Sequence, residues 1–255
     1  MVVGLEFFKE HFKGYEDHYV LIGGAACDLA MDAIGESFRT TKDLDIVICI
    51  ESLTPDFISL FWDFVKAGNY EIRQKSTDKK LFYRFHSPAI KEYPFMLELF
   101  SRIPDALNFK GEGHLTPIPT EDEASSLSAI LLNGDYYTFL QAGKTKTYGV
   151  PVVKPEYIIP LKAKAWLDLT QRKTAGEKID TKTINKHRAD IFRLYRILVP
   201  DDIPKIEGQI ADDLRQFADT VITRSELPLN SYGYKRSTKS STIITEIRQI
   251  YGINN

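Results

Sequence analysis

Residues 18–50 have the sequence HYVLIGGAACDLAMDAIGESFRTTKDLDIVICI, which contains the pattern of a strand, a glycine turn, a helix and a second strand. Residues 18–22 form a short apolar run typical of a strand, and the run ends at Gly23-Gly24. Residues 25–33 have the apolar spacing of a helix. Residues 43–50 alternate and are rich in β-branched side chains, which predicts the second strand.

Two carboxylates share one face of that second strand. Side chains alternate across a strand, so Asp43 and Asp45 project from one face while Leu44 and Ile46 project from the other. Carboxylates this close repel each other unless a cation lies between them, and Mg²⁺ prefers oxygen ligands of this kind. The pair is a candidate metal site, although an isolated Asp-x-Asp is more often simply solvated.

A third carboxylate, Glu98, lies in the middle of the apolar run at residues 95–100. A buried, unpaired carboxylate costs several kcal/mol in order-of-magnitude terms, so Glu98 needs a cation partner or an altered pKa. Two interpretations have equal weight at this point. Glu98 is either a metal ligand or the partner of a buried arginine such as Arg84 or Arg102.

The glycine turn is the next candidate. Because glycine has no Cβ, Gly23-Gly24 allows a phosphate to approach the backbone N–H groups at the start of a helix. An isolated Gly-Gly is more often only a tight turn. Here one helix separates the turn from the acidic pair, so the second strand can return beside the first and bring the carboxylates next to the turn.

These residues resemble a known signature. Gly23-Gly24-Ala25-Ala26, followed by Arg39-Thr40-Thr41-Lys42-Asp43-Leu44-Asp45, is similar to the pattern of the DNA polymerase β superfamily of nucleotidyltransferases. Within it, the match resembles the AbiEii/AbiGii type, the toxins of abortive-infection and toxin–antitoxin systems. The wider superfamily often has serine after the first glycine, where this chain has Gly24, which favours the narrower group.

The resemblance implies roles for the motif residues. Asp43, Asp45 and Glu98 would be the catalytic acids and the ligands of Mg²⁺, or of Mn²⁺, with an NTP as co-substrate. The nucleotide-binding residues would include Gly23, Gly24, Arg39 and Thr41. The fold class would be α+β, with a nucleotidyltransferase-type mixed sheet and flanking helices over residues 1–154 and a helical domain over residues 155–255.

The helical half offers further candidates. In the helix predicted at 156–172, Lys162 lies in the middle of an apolar stripe, whereas Lys164 lies off the stripe and is expected to be solvated. Lys162 either extends along the stripe to solvent or contacts phosphate. In Lys186-His187-x-x-Asp190, His187 lies in an apolar stripe and is more often a core histidine. The resemblance to the toxin family extends to about residue 198 and implies that Lys162 and Asp190 bind nucleotide.

The remaining elements follow from periodicity and from proline and glycine positions. Strands are predicted at 81–86 and 95–100, a long loop at 101–119, a helix at 121–132 and a hairpin at 136–153 that turns near Gly143. Helices are then expected at 5–12, 55–67, 183–198, 204–223 and 241–251, with a polar bend at 174–180.

Composition limits the class of protein. The chain has 255 residues, a formal net charge of −2 and 43% hydrophobic residues, which fits a globular protein without a general attraction to nucleic acid. No run approaches the roughly 18 apolar residues of a membrane span. The charged start resembles no secretory signal, so a cytoplasmic protein is expected. Two cysteines and scattered histidines predict neither a disulfide framework nor a zinc site.

The resulting hypothesis is an Mg²⁺-dependent nucleotidyltransferase that moves an NMP from an NTP to a hydroxyl, of the toxin type and with a possible cognate antitoxin. The acceptor could be a tRNA, a protein or a small molecule. Two alternatives are a non-catalytic nucleotide- or partner-binding module with the same fold and a small-molecule nucleotidyltransferase of the antibiotic-modifying sort. The basic segment with Lys235, Arg236 and Lys239, beside Tyr232 and Tyr234, is interpreted as a solvated loop.

Overall fold

The computed structural model describes residues 2–71, 82–101, 130–131, 133–222 and 228–254. The chain divides into two compact units, which are described separately. The first comprises Met1–Leu132 and Lys144–Lys154, and the second comprises Asn133–Gly143 and Pro155–Asn255. The second unit is therefore discontinuous in sequence, because the hairpin at 144–154 returns to the first.

The first unit contains a mixed sheet and helices. In chain order its described elements are α1 (Leu5–His11), β1 (Tyr19–Ile22), α2 (Gly23–Asp32), β2 (Asp43–Ile48), α3 (Pro55–Ala67), β3 (Phe82–His86), β4 (Met96–Phe100), β5 (Lys144–Thr147) and β6 (Val150–Val153). The sheet order is β3-β4-β2-β1-β6-β5. The β1/β6 and β2/β4 pairs are parallel, and the other pairs are antiparallel. The predicted α+β class is confirmed at this level.

An aromatic core joins α1 and α3 to the sheet. The Phe8 ring packs edge-on against Tyr19 of β1 and against Phe64 of α3, with centroids 5.4 and 5.5 Å apart. Helix α3 begins where the Thr54 hydroxyl accepts the Phe57 N–H. Each fully buried phenylalanine contributes roughly 1.5–3 kcal/mol, so these rings fix the helices on the sheet.

The second unit is helical. Its described α-helices are α4 (Gly134–Ala142), α5 (Pro155–Thr174), α6 (Thr181–Tyr195), α7 (Gly208–Ile222) and α8 (Ser240–Ile250). Helix α5 packs against α6 and α7, and the Trp166 ring meets Phe217 edge-on with centroids 5.3 Å apart. The Tyr251 hydroxyl donates to the Glu156 carbonyl at 2.7 Å, which ties the end of the chain to the start of α5.

The predicted hairpin at 136–153 is wrong in its first half. Asn133 caps α4 by accepting the N–H groups of Asp135 and Tyr136, and the helix buries one apolar face. The hairpin is only the β5/β6 pair and turns at Tyr148-Gly149, where both residues have positive φ (51° and 80°). A two-residue turn of this kind matches the twist of the flanking strands.

The other predicted elements agree with the structure to within a few residues where they can be compared. The loop predicted at 101–119 and the helix predicted at 121–132 lie outside the described residues, apart from Ser101 and residues 130–131. Among the helices that the structure describes, none is both long and apolar enough to cross a membrane.

Candidate functional site

The turn between β1 and α2 lies directly against the carboxylate of Asp45. Gly23 has φ +64°, and a Cβ there would overlap the Asp45 side chain, so the position requires glycine. The Gly24 N–H donates to Asp45 Oδ2 at 3.3 Å. Asp45 is opposite Ile22 in the β1/β2 register, which explains why the turn and the carboxylate meet.

Two further motif residues lie beside the same turn. A Cβ on Gly24 would be 2.7 Å from Thr41 Oγ1 and 3.6 Å from Arg39 Nη2. The side chains of the segment before β2 thus lie directly beside the helix start, and a Cβ on Gly24 would push the Thr41 hydroxyl aside. The structure therefore brings together Gly23, Gly24, Arg39, Thr41 and Asp45, as the sequence predicted for the turn and the acidic strand.

Three charged side chains cross the sheet in one line, which we call the sheet-face cluster: Asp45, Glu98 and Arg84. Asp45 is opposite Glu98 in the parallel β2/β4 pair, and Glu98 is opposite Arg84 in the antiparallel β3/β4 pair. Residues directly opposite in a sheet project from the same face. Asp43 precedes Asp45 by two residues and shares that face, with Met96 as its backbone partner.

Glu98 and Arg84 form a buried ion pair. Arg84 Nε donates to Glu98 Oε1 at 2.7 Å, and Nη2 contacts the same oxygen more closely. The two side chains are only 6% and 8% exposed. The arginine interpretation of Glu98 is thus confirmed for Arg84, while Arg102 lies outside the described residues. The metal-ligand interpretation stays a prediction.

The neighbouring carboxylate changes the protonation of Glu98. Burial, together with the charge of Asp45 and a hydrogen bond to it, holds the pKa of Glu98 well above its ordinary value, while Arg84 acts in the opposite direction. A hydrogen bond between two carboxyl groups requires one proton. With that proton, the two acids and Arg84 sum to zero charge.

The donor chemistry of this region fits a divalent cation. Asp43 and Asp45 supply carboxylate oxygens, the ligands that Mg²⁺ and Mn²⁺ prefer. Within the described part of the chain, no group of three or more His, Cys, Asp or Glu side chains is already arranged around a metal position. In this arrangement Glu98 Oε1 contacts the Arg84 guanidinium.

In the second unit, Lys162 and Asp190 are paired with each other. Lys162 Nζ lies 2.9 Å from Asp190 Oδ2, with side-chain exposures of 6% and 0%. Asp190 also accepts from Arg193 Nη1 at 3.2 Å. The alternative in which Lys162 extends to solvent is wrong, because α5 and α6 bury its ammonium. A part for either residue in nucleotide binding stays a prediction. His187 is buried, as expected of a core histidine.

The sequence predicted that Lys164 is solvated, but the structure pairs its ammonium with a carboxylate. Its ammonium lies 2.9 Å from Asp213 Oδ1, which also accepts from Gln209, while Asp213 Oδ2 accepts the Tyr136 hydroxyl at 2.9 Å. Asp213 is buried, and sequence reasoning missed it. The available signal was its place among Ile210, Leu214 and Phe217, on the apolar stripe of α7.

Neither a scan of the chain against models of protein families nor a search of curated proteins gives a match. The family resemblance therefore depends on the motif residues themselves, and the geometry around Gly23-Gly24 and the sheet-face cluster is the physical basis for a function.

Proposed function

We propose that this chain is an Mg²⁺-dependent nucleotidyltransferase that transfers an NMP from an NTP to a hydroxyl acceptor. The observation that supports this most directly is the contact of the Gly23-Gly24 turn with Asp45, with Thr41 and Arg39 beside Gly24. A glycine turn at the start of a helix, next to acids and an arginine, suits a triphosphate and its counter-ion. The motif resemblance supports the same proposal.

Each residue has a defined task in the proposal. The helix start at Gly23-Gly24 receives phosphate oxygens, and the Arg39 guanidinium, which lies beside Gly24, contacts phosphate charge. Asp43, Asp45 and Glu98 would hold the Mg²⁺ or Mn²⁺. When bound, such an ion neutralises phosphate charge and acidifies an attacking hydroxyl. The Gly24 N–H orients Asp45 by its hydrogen bond.

The transfer breaks the bond between the α-phosphorus and the bridging oxygen of the β-phosphate, and it forms a bond to the acceptor oxygen. Pyrophosphate leaves, and a carboxylate of the site accepts the hydroxyl proton. We further propose, on the resemblance to the AbiEii/AbiGii type, that the enzyme is a cytoplasmic toxin with a cognate antitoxin.

One observation favours the non-catalytic alternative. Arg84 already pairs with Glu98 within the sheet-face cluster. The buried carboxyl group therefore has a partner other than a metal ion. In that case the Gly23-Gly24 turn would bind a nucleotide without turnover.

Pyrophosphate release separates the two candidates. The protein is incubated with each of four α-labelled NTPs, with Mg²⁺ or with EDTA, in the presence of cell extract. The proposal expects labelled acceptor and pyrophosphate with Mg²⁺ only. NTP binding without pyrophosphate would establish the binding module instead.

The matched variants are Asp45→Asn and Asp63→Asn. The first should abolish transfer and keep the fold, because an asparagine oxygen can still accept the Gly24 N–H. The second makes the same change at an exposed position on α3 and should leave the rate unchanged. Transfer that survives Asp45→Asn with the parent's Mg²⁺ dependence would contradict the metal assignment.

A further inference from the structure

The second unit contains a cavity of about 370 Å³ beside the segment that leads into α8. The cavity is lined by Leu229, Asn230, Lys235, Arg236 and Thr238. Leu229 is a buried apolar residue, while the side chains of the other four residues carry a carboxamide, two cations and a hydroxyl. A space of this size is at the lower end of the range for small-ligand sites.

The charge of this segment differs from that of the chain. Residues 228–240, which we call the basic loop, include Lys235, Arg236 and Lys239 and no Asp or Glu, whereas the whole chain has a net charge of −2. The side chains of Lys235 and Arg236 are exposed. Within the described residues, neither forms an ion pair or a side-chain hydrogen bond. The cations of the wall are therefore available to a ligand.

The backbone of the basic loop is held in place from α6. Arg196 Nη1 donates to the Tyr232 carbonyl at 3.1 Å, and the Tyr234 hydroxyl donates to the Phe192 carbonyl at 2.6 Å. The Arg193 guanidinium lies 4.5 Å from the centroid of the Tyr232 ring. Because these contacts fix the loop before any ligand arrives, binding would cost less conformational entropy than binding to a flexible basic segment.

We propose that this cavity binds a phosphate group. Arg236 and Lys235 would donate charge-assisted hydrogen bonds, and Thr238 and Asn230 would add neutral ones. Donors on four separate side chains suit a tetrahedral oxyanion better than a carboxylate, which offers only two oxygens. The phosphate can belong to a small molecule or to a nucleic-acid backbone, and both present the same chemistry. The site shares no residue with the proposed transferase site, so it stands independently of that proposal.

The test is an amide chemical-shift titration of the full chain with inorganic phosphate at constant ionic strength, with acetate as the comparison anion. We expect saturable shifts in residues 228–240 with phosphate and none with acetate. The double variant Lys235→Gln/Arg236→Gln should bind phosphate at least about tenfold more weakly, as the loss of charged hydrogen bonds requires. The charge-matched control Lys178→Gln/Lys182→Gln, at exposed positions of the same unit, should bind like the parent.

A second arm distinguishes the sources of the phosphate. If the ligand is a nucleic-acid backbone, a single-stranded oligonucleotide binds more tightly than inorganic phosphate. The double variant should then show a weaker salt dependence than the parent. The magnitude of the slope of log affinity against log salt concentration should be smaller by about 1.4, which is about 0.7 for each lost contact. If the oligonucleotide binds no better than phosphate, the ligand is a small phosphorylated molecule. The proposal is overturned by any of three results: no saturation with phosphate, equal shifts with acetate, or parent-like binding by Lys235→Gln/Arg236→Gln.

Discussion

Arg84→Met removes the cation that Glu98 contacts inside the sheet. Both side chains are more than nine-tenths buried, so water screens their interaction little. Removing one partner of such a pair leaves an uncompensated charge and typically costs about 3–5 kcal/mol of the free energy of unfolding. We expect a loss in this range at alkaline pH, where Glu98 is ionised despite its raised pKa.

The loss should depend on pH, with a definite sign. Burial and Asp45 raise the pKa of Glu98 in the folded protein, and removing Arg84 raises it further. A carboxyl group with a raised folded pKa favours folding when it is protonated. This stabilisation is fully present below the unfolded value of about 4.3 and is lost as the pH rises through the raised value. Arg84→Met should therefore cost least near pH 4 and progressively more toward pH 8.

The assay is urea unfolding of the parent, Arg84→Met, Glu98→Leu and the double variant at pH 5 and pH 8. The double variant should recover most of the stability at pH 8, because an apolar pair of similar size replaces the two charges. Lys9→Met is the control, since its pair with Glu6 is solvent-exposed and is worth about 0–1 kcal/mol. If Arg84→Met lowers the free energy of unfolding by less than about 1 kcal/mol at pH 8, or by the same amount at both pH values, the buried ion pair of the sheet-face cluster is refuted.

Two further substitutions test the close contacts of each unit. Gly23→Ala should lower the free energy of unfolding in urea more than Gly35→Ala does. Both glycines have positive φ, which costs roughly 1–2 kcal/mol for other residues. Only at Gly23 would the added Cβ also overlap the Asp45 carboxylate. Equal losses would show that Asp45 moves aside freely. A broken buried ion pair typically costs about 3–5 kcal/mol of the free energy of unfolding. Lys162→Met should cost less than this, because Arg193 still contacts Asp190. Exposed Lys178→Met is its control, and a loss no larger than that of the control would contradict the buried pair.

Local sequence was sufficient for the elements whose signals are short-range. The apolar run before Gly23-Gly24, the alternation after Asp43 and the capped start of α3 at Thr54 each depend on neighbouring residues only. The same holds for the shared face of Asp43 and Asp45, which follows from strand geometry. For the candidate site, the sequence therefore predicted the turn, the acids and their proximity.

The first error concerned a segment with two competing signals. Residues 136–142 include adjacent tyrosines and a leucine, which fit a strand as well as a helix, and periodicity over so short a run does not distinguish them. The cap at Asn133 was the better signal, because its side chain accepts two N–H groups at the start of α4. That cap lies outside the segment assigned to the hairpin.

The second group of misses involved long-range partners. Lys162 meets Asp190 only because α5 and α6 pack together, and Lys164 meets Asp213 only because α5 and α7 do. An apolar stripe that contains one charged residue predicts that a partner exists. It does not identify the partner, which depends on helix packing that no local pattern specifies.

Glu98 shows why the sequence supported a metal and an arginine equally. Both interpretations follow from one requirement, that a buried carboxylate needs a positive charge near it. The choice depends on strand register, and the register places Arg84 of β3 opposite Glu98 while Asp45 lies opposite on the other side. One proton and one guanidinium then offset the charges of these two carboxyl groups. A divalent ion bound by Glu98 would have to displace that proton and draw the carboxylate away from Arg84. Metal binding at this site would therefore be coupled to the same ion pair that stabilises the fold.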